Sequence, residues 1–321
     1  MLALSSAIPD LTPRQPFSAA ANGDYLRMMT ALHAADGDPA RLSGPLALRY
    51  QHNLAQNIVK EKVFIAVSEA MRAGGVTAVY PIKGMHLLQT LYRDLPGIRP
   101  MVDIDLLVPR ADFPKLPAIV RSRPSWRPDM ERFLGLRARL AADIFFVTEN
   151  TSVEVKRDLL LVPLVDFAPL FAAAGTTVVA GKEVPLLRPE HAAVLYLLHH
   201  LGDHLLHYRR IDPRHLAEFS VILRAIGDTA AFRDLCRSHR LERWYDLMLF
   251  LIYTFFEHPV VTAADFTVHP LFSCIGRTPN DTLGTAATTR LTAFLYGRWA
   301  LPLLARNALL WLPKRALGRG R

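Results

Sequence analysis

The sequence predicts an α+β protein in which a small mixed β-sheet is flanked by an N-terminal helical segment and a helical C-terminal domain. Short β-branched runs occur between residues 76 and 158, and apolar residues recur at helical spacing on both sides of them. The hydrophobic content of 51% is enough for a substantial core. We therefore predict three regions: residues 1–75 (helical), 76–188 (the α/β core) and 189–321 (helical, with a basic tail).

The composition excludes several classes of protein. With 51% hydrophobic and 21% charged residues, the chain cannot be disordered over most of its 321 residues. It contains two cysteines, Cys236 and Cys274, which excludes a disulfide framework and a cysteine-based zinc module. Bare cysteines of this kind fit a reducing compartment, so we expect a cytoplasmic protein.

The net charge of +9 is concentrated in a C-terminal tail. Residues 298–321 hold six basic residues and no acidic one, so the charge alone does not indicate a nucleic-acid-binding protein. We expect the tail to form an amphipathic helix packed on the domain, and weak contact of the tail with an anionic membrane surface is the alternative.

The apolar run Leu247–Phe256 is too short to span a bilayer and predicts a buried helix. The N-terminus lacks the basic region of a signal peptide.

The first region has helical periodicity over residues 25–33 and again over 45–73, where a pair of glycines ends the pattern. A predicted strand follows at Val76–Ile82. Lys83 and Gly84 then begin a short helix that reaches about Tyr92.

Strands and helices alternate through the middle region. We predict a strand at Asp103–Val108, a helix at Asp112–Arg121 and a loop over 122–138, followed by strands at Ala142–Thr148 and Ser152–Asp158. Helices are predicted beyond Pro189, at His191–Arg209, Pro213–Ile226, Thr229–Ser238 and Glu242–Phe256.

The most informative motif is the Asp-Ile-Asp of residues 103–105. Side chains of a strand alternate between its faces, so Asp103 and Asp105 point the same way while their apolar neighbours point to the core. Adjacent like charges repel, and a divalent cation between them removes that cost. Mg²⁺, or Mn²⁺, prefers such oxygen ligands. Glu154, between two valines of a predicted strand, is our third carboxylate, and Asp143 competes with it.

Two basic elements precede the aspartate pair. Lys83 and Gly84 begin a helix whose free N–H groups can face a phosphate. Arg99 lies close before the strand, where it can neutralise a phosphate or pair with an acid and anchor its loop. These features favour a site for a metal and a nucleotide, although an exposed strand edge could carry two aspartates without function.

These motifs resemble the uncharacterised nucleotidyltransferase family of the polymerase-beta-like superfamily. The matching residues are Ile82-Lys83-Gly84, Leu91-Tyr92, Arg99, Asp103–Val108 and Val153–Lys156. The chain departs from the family at Lys156, where the family has histidine. It departs from the superfamily at Met85, because Gly-Ser or Gly-Gly usually stands at the start of this helix.

The resemblance implies a nucleotidyltransferase core and Mg²⁺-dependent transfer of a nucleoside monophosphate from an NTP, with ATP expected, by a two-metal mechanism. Asp103 and Asp105 would hold the metal at the triphosphate, and both with Glu154 would hold the metal at the attacking hydroxyl. Lys83 and the N–H groups after Gly84 would neutralise phosphate charge. The acceptor is open: a small molecule, a peptide, a protein or RNA.

A histidine-rich stretch lies in the C-terminal region. On an α-helix His200 and His204 are one turn apart, with His207 on the same side, a spacing that can bind zinc. No metalloprotease motif and no His-Asp pair accompanies them, so we assign no dedicated metal site. We expect His200 and Arg210 to contact a nucleotide or acceptor phosphate, and a polar helix face without chemistry is the alternative.

Two other functions compete with nucleotidyl transfer. One is a non-catalytic nucleotide-binding or scaffold protein with the same fold, in which Lys156 marks a changed site. The other is a membrane-surface scaffold that uses the basic tail. The intact set of Asp103, Asp105 and Glu154 favours the enzyme.

Overall fold

The structure, a computed structural model, describes residues 21–128, 134, 143–157, 165–207, 211–257, 261–275 and 285–297. The α-helices are α1 (Ala21–Ala34), α2 (Gly44–Ala73), α3 (Lys83–Gln89), α4 (Leu116–Arg121), α5 (Ala168–Ala172), α6 (Pro189–Leu198), α7 (Pro213–Ile226), α8 (Thr229–Ser238), α9 (Glu242–Phe255) and α10 (Thr285–Tyr296). A π-helix, His199–His207, continues α6. The predicted α+β class is confirmed.

A mixed five-stranded sheet forms the middle of the molecule. Its strands are β1 (Tyr80–Pro81), β2 (Asp103–Leu107), β3 (Arg127–Pro128), β4 (Asp143–Thr148) and β5 (Thr151–Lys156). They lie in the order β1-β2-β5-β4-β3. The central pair, β2 and β5, is parallel, and the other neighbours are antiparallel. The sheet therefore places the two strands with the predicted carboxylates side by side.

Several elements differ from the sequence predictions. Strand β1 covers two residues of the predicted Val76–Ile82, and the predicted loop 122–138 contains the short edge strand β3. A separate hairpin of β6 (Gly175–Val179) and β7 (Lys182–Leu186) was not predicted. Its turn, Ala180-Gly181, has φ values of +47° and +79°, as two-residue hairpins require. The sequence analysis missed the turn because alanine seldom takes a positive φ.

The helical regions follow the predicted periodicity. Helix α2 ends at Gly74 and Gly75, as the glycine pair predicted, and Gly75 has a φ of +86°. Helix α9 contains all but the last residue of the apolar run at 247–256, and most of the run is buried. Among the described helices, none combines the length and apolarity that a bilayer span requires.

The prediction of one α-helix over His191–Arg209 was wrong, because the second half of this segment is not α-helical. Helix α6 ends at Leu198, and His199–His207 form a π-helix. The π-helix closes its hydrogen bonds over five residues instead of four, which no apolar periodicity signals. Arg210 and the basic tail, with both interpretations of that tail, lie outside the described residues.

A buried polar network links helices from the flanking regions to the sheet. The Arg99 guanidinium Nε donates to Glu218 Oε1 at 2.6 Å, and the Tyr196 hydroxyl donates to the other oxygen of Glu218. Nearby, the hydroxyls of Tyr25 and Tyr92 form a hydrogen bond of 2.8 Å. The apolar core is likewise continuous from α1 to α10. The division into three regions stays a prediction.

Candidate active site

The register between β2 and β5 assembles the predicted carboxylates. Asp105 pairs with Glu154, and Asp103 pairs with Ser152, so all four side chains lie on one face of the sheet. The alternate residues, including Ile104 and the valines beside Glu154, are fully buried on the other face. The strand register thus places Glu154 beside the aspartate pair, as the sequence predicted.

Lys83 reaches into this face from the start of α3. The backbone N–H of Ile82 donates to the carbonyl of Asp105 at 3.1 Å, which sets Lys83 beside that strand. Lys83 Nζ then lies 2.6 Å from Asp105 Oδ1 and 3.9 Å from Glu154 Oε2. The φ of Lys83 is +51°, a strained value for a residue with a side chain. Local strain of this kind is typical of functional sites.

Lys156 is a second ammonium group in the site, at the position where the resemblance led us to expect histidine. Its Nζ lies 3.0 Å from Glu154 Oε2, and its side chain is 8% exposed. Asp143, the competing third carboxylate, pairs with Lys156 across β4 and β5, whereas Glu154 pairs directly with Asp105. The geometry therefore favours Glu154 as the partner of the aspartates. We call Lys83, Asp103, Asp105, Glu154 and Lys156 the carboxylate face.

The charges of the carboxylate face separate the pKa values of two adjacent acids. Burial acts to raise the pKa of Asp105, but the ammonium groups of Lys83 and Lys156 outweigh it and hold the pKa well below its ordinary value. Burial raises the pKa of Glu154 to about 7 against the pull of the same lysines, and the Asp105 charge adds to the rise. A protonated Glu154 can thus donate a hydrogen bond to an ionised Asp105.

Asp103 is more open than Asp105, its neighbour on the same face of β2. It is half-buried, whereas Asp105 is buried. Desolvation raises the pKa of Asp103, and the negative charge of Asp105 raises it further. A cation bound between the two aspartates would relieve this repulsion.

Helix α2 fixes the loop that leads into β2. Three buried side chains on one stripe of α2 donate to backbone carbonyls of the loop 96–101. The bonds run from Asn53 to Gly97 (3.1 Å), from Asn57 to Pro96 (2.6 Å) and Arg99 (2.8 Å), and from Lys60 to Met101 (2.6 Å). The loop enters β2 at Asp103, so this stripe positions the aspartate pair.

Arg99 lies beneath the site and is paired with a buried acid. Its side chain is 10% exposed and that of Glu218 is 0% exposed. A Cβ on Gly84 would collide with the Arg99 guanidinium, so glycine is required there by close approach. Of the two roles that the sequence left open for Arg99, pairing with an acid is the contact the structure forms. Contact with a nucleotide stays a prediction.

Four imidazoles from the π-helix and α7 pack together beside the carboxylate face. They belong to His199, His200, His204 and His215, called here the histidine cluster. The His200 and His215 ring centroids are 3.7 Å apart, and those of His204 and His215 are 4.3 Å apart. Burial lowers the pKa of His199, and the nearby ammonium groups of Lys83 and Lys156 lower it further. His199 thus adjoins the carboxylate face, while the predicted phosphate contact of His200 stays a prediction.

Sequence reasoning missed several residues that shape the site. Lys60 and His215 were not singled out, His199 was noted only as part of the histidine-rich stretch, and Glu218 was not seen as the partner of Arg99. A signal for Glu218 was present: it is a lone acid in the apolar face of α7. A buried acid needs a cation, and pairing with an acid was already one of the two roles that the sequence left open for Arg99.

Comparison with known families agrees with this geometry. A model of the uncharacterised nucleotidyltransferase family matches residues 27–257, which is most of the chain and includes the whole carboxylate face and the histidine cluster. No curated protein and no solved structure gives a significant match. The chain belongs to the uncharacterised nucleotidyltransferase family.

Proposed function

We propose that the protein is a Mg²⁺-dependent nucleotidyltransferase that moves a nucleoside monophosphate from an NTP to a hydroxyl or phosphate acceptor. The observation that carries this proposal is the parallel register of β2 and β5, which sets Glu154 beside Asp105 on the face that also holds Asp103. Family membership supports nucleotidyl transfer in general. ATP is the first donor to test, and the acceptor class is open.

The donor atoms of the carboxylate face suit Mg²⁺ or Mn²⁺. Asp103, Asp105 and Glu154 offer only carboxylate oxygens, which are the ligands these cations prefer. The ions would neutralise the triphosphate and activate the attacking hydroxyl. Lys83 now lies against Asp105, at 2.6 Å, and must leave that oxygen free for a cation.

The chain's own residues have distinct roles in this proposal. Lys83 moves from Asp105 to the triphosphate, where its charge stabilises the departing pyrophosphate. Glu154, the carboxylate that pairs with Asp105 across the strands, accepts the proton of the acceptor hydroxyl. The acceptor oxygen bonds to the α-phosphorus as the bond from that phosphorus to the pyrophosphate oxygen breaks. Arg99 holds the loop before β2 in place through Glu218.

A non-catalytic nucleotide-binding protein is the second candidate. Lys83 and Lys156 both contact carboxylates of the site, so its negative charge is balanced in part without any metal. A fold that keeps the site for binding alone would have this arrangement.

The proposal also places the protein in the cytoplasm, which suits the buried free thiol of Cys236.

Label transfer separates these functions. The protein is incubated with Mg²⁺, a cell extract and each of the four NTPs labelled at the α-phosphate, and both labelled product and pyrophosphate are measured. Transfer of the label together with pyrophosphate release, both absent in Asp103→Asn, supports the enzyme. Nucleotide binding without transfer of label from any NTP supports the non-catalytic candidate. Transfer of a γ-phosphate label instead would overturn the proposal.

A further inference from the structure

Three imidazoles of the histidine cluster converge on one point. Ligand nitrogens of His199, His200 and His204 all lie within 4.8 Å of one another. The Nε2 atoms of His199 and His204 are 3.2 Å apart. Two nitrogens bound to one tetrahedral zinc ion are separated by about 3.3 Å, given zinc–nitrogen bonds of 2.0–2.1 Å. The observed spacing therefore matches a pair of ligands of a single cation, as well as a hydrogen bond between the rings.

The π-helix is what brings these side chains together. His199 and His204 are five residues apart, a spacing that points to different sides of an α-helix. A π-helix places residues five apart one above the other, because its hydrogen bonds run from i to i+5. His200 and His204, four residues apart, stay close as well, with ring centroids 5.5 Å apart. Such segments are rare and are often found at functional sites.

His200 provides the independent sign that something is missing from the cluster. It is 5% exposed, and neither of its ring nitrogens has a hydrogen-bond partner. A buried polar atom without a partner is costly, and native structures almost always satisfy it. A cation among the three rings would satisfy one His200 nitrogen directly.

We infer that His199, His200 and His204 bind a transition-metal cation of the zinc class, at a site separate from the carboxylate face. The donor set is made of nitrogen alone, which suits Zn²⁺, Co²⁺ or Ni²⁺ and does not suit Mg²⁺. Three protein ligands leave a further position for water or a small ligand. The two neighbouring sites would thus hold different metals, selected by oxygen in one and by nitrogen in the other.

His215 forms a wall of this site. Its Nε2 lies 3.0 Å from the guanidinium nitrogen of Arg214 and 3.7 Å from Asp212 Oδ2, so that nitrogen already has polar partners on α7 and its N-terminal cap. Because all three ligands belong to the π-helix, the bound cation would hold that segment in its π-helical form and keep His199 next to Asp105. We therefore expect the cation to order the residues next to the carboxylate face without taking part in phosphoryl transfer.

Metal binding to the full-length, untagged protein tests the inference. The protein is stripped with a chelator, dialysed against Zn²⁺ or Co²⁺, and assayed for bound metal and for the visible spectrum of tetrahedral Co²⁺. We expect one tightly held ion per chain, about 100-fold weaker or lost in His199→Gln and His204→Gln. Asp103→Asn and the exposed-histidine control His52→Gln should bind it as the wild type does.

The nature of the ligands is checked on the wild type alone, so the test survives if a histidine variant fails to fold. X-ray absorption of the zinc-loaded protein should show three imidazole nitrogens. A shell of oxygens, the absence of retained metal, or loss of binding in Asp103→Asn with retention in both histidine variants would overturn the inference. In the second of these cases the 3.2 Å contact is a hydrogen bond between two rings.

Discussion

The carboxylate face and the histidine cluster are adjacent groups of polar side chains with little exposure to solvent. They reduce the free-energy cost of burying charge in opposite ways. In the carboxylate face, charges remain and are paired: Lys83 lies 2.6 Å from Asp105, and Lys156 lies 3.0 Å from Glu154. In the histidine cluster, burial lowers the pKa of His199, His200 and His215, so these three rings stay neutral.

This difference determines what each group can bind. Carboxylates with exchangeable lysine partners can release an ammonium group and take up a hard cation and phosphates. Neutral imidazoles have lone pairs for a softer cation. Single substitutions can separate the two kinds of site, because a change to a carboxylate alters the charge of one site and a change to a neutral imidazole removes a nitrogen ligand from the other.

The largest expected effect is on activity, from the two aspartates. Asp103→Asn and Asp105→Asn should each lower nucleotidyl transfer by about 10³-fold or more, because each removes a negative oxygen ligand. Thermal unfolding should distinguish them. Asp103→Asn removes one of two repelling charges and should leave stability unchanged, whereas Asp105→Asn removes the partner of Lys83 and should cost about 2 kcal/mol. Equal melting temperatures would show that the Lys83 contact contributes nothing to stability.

The next largest effect is on stability and comes from the buried ion pair of Arg99 and Glu218. Glu218→Ala should lower the free energy of unfolding by about 3–5 kcal/mol, because it leaves the Arg99 guanidinium buried without a partner. Glu69→Gln is the matched control: it breaks an exposed pair with Lys182 at 2.9 Å and should change stability little. Urea unfolding of the two variants makes the comparison, and similar midpoints would contradict the buried role of Arg99.

His86 tests whether burial alone keeps an imidazole neutral, because it lies outside the cluster. Burial lowers its pKa to about 4, so the folded state favours the neutral ring. Its contribution to stability is complete above about pH 6.5, the ordinary value, and is lost as the pH falls towards 4, a loss of roughly 3 kcal/mol. His86→Gln, which can keep the bond to the Leu187 carbonyl, should flatten this part of the stability profile. An unchanged slope would assign the acid sensitivity to other groups.

The smallest expected effect concerns Lys156, where the chain departs from its family. Its ammonium group lowers the pKa of Glu154, so Lys156→Met should raise that pKa and move the acidic limb of the pH–rate profile up by about 1 pH unit. Lys156→Arg keeps the charge and should leave the limb in place. A limb that moves equally in both variants would show that Lys156 acts through packing.

The carboxylate face could be predicted from sequence because strands have a simple rule. With a period of two, Asp103 and Asp105 must share a face, and a valine on each side of Glu154 fixes its direction too. The sequence indicated that Glu154 would lie near Asp105, but it could not determine which residues pair directly. That register depends on contacts between strands that are distant in sequence. The contact of Lys83 with Asp105 involves a backbone conformation at Lys83, φ +51°, that no residue pattern indicates.

The histidine cluster could not be predicted, for two physical reasons. The sequence favoured an α-helix, and the π-helix changes which histidines share a side. His215 comes from a different helix, α7, and joins the cluster only through tertiary packing. The pairing of Arg99 with Glu218, separated by 119 positions, has the same origin.

Binding of nucleotide to the carboxylate face is the central claim, and one measurement tests it most directly. The melting temperature of the wild type and of Asp103→Asn is recorded with each NTP, with and without Mg²⁺. The account predicts that an NTP stabilises the wild type only when Mg²⁺ is present, and that Asp103→Asn gains nothing from either condition. Equal stabilisation of both proteins, or stabilisation of the wild type that does not depend on Mg²⁺, would contradict it.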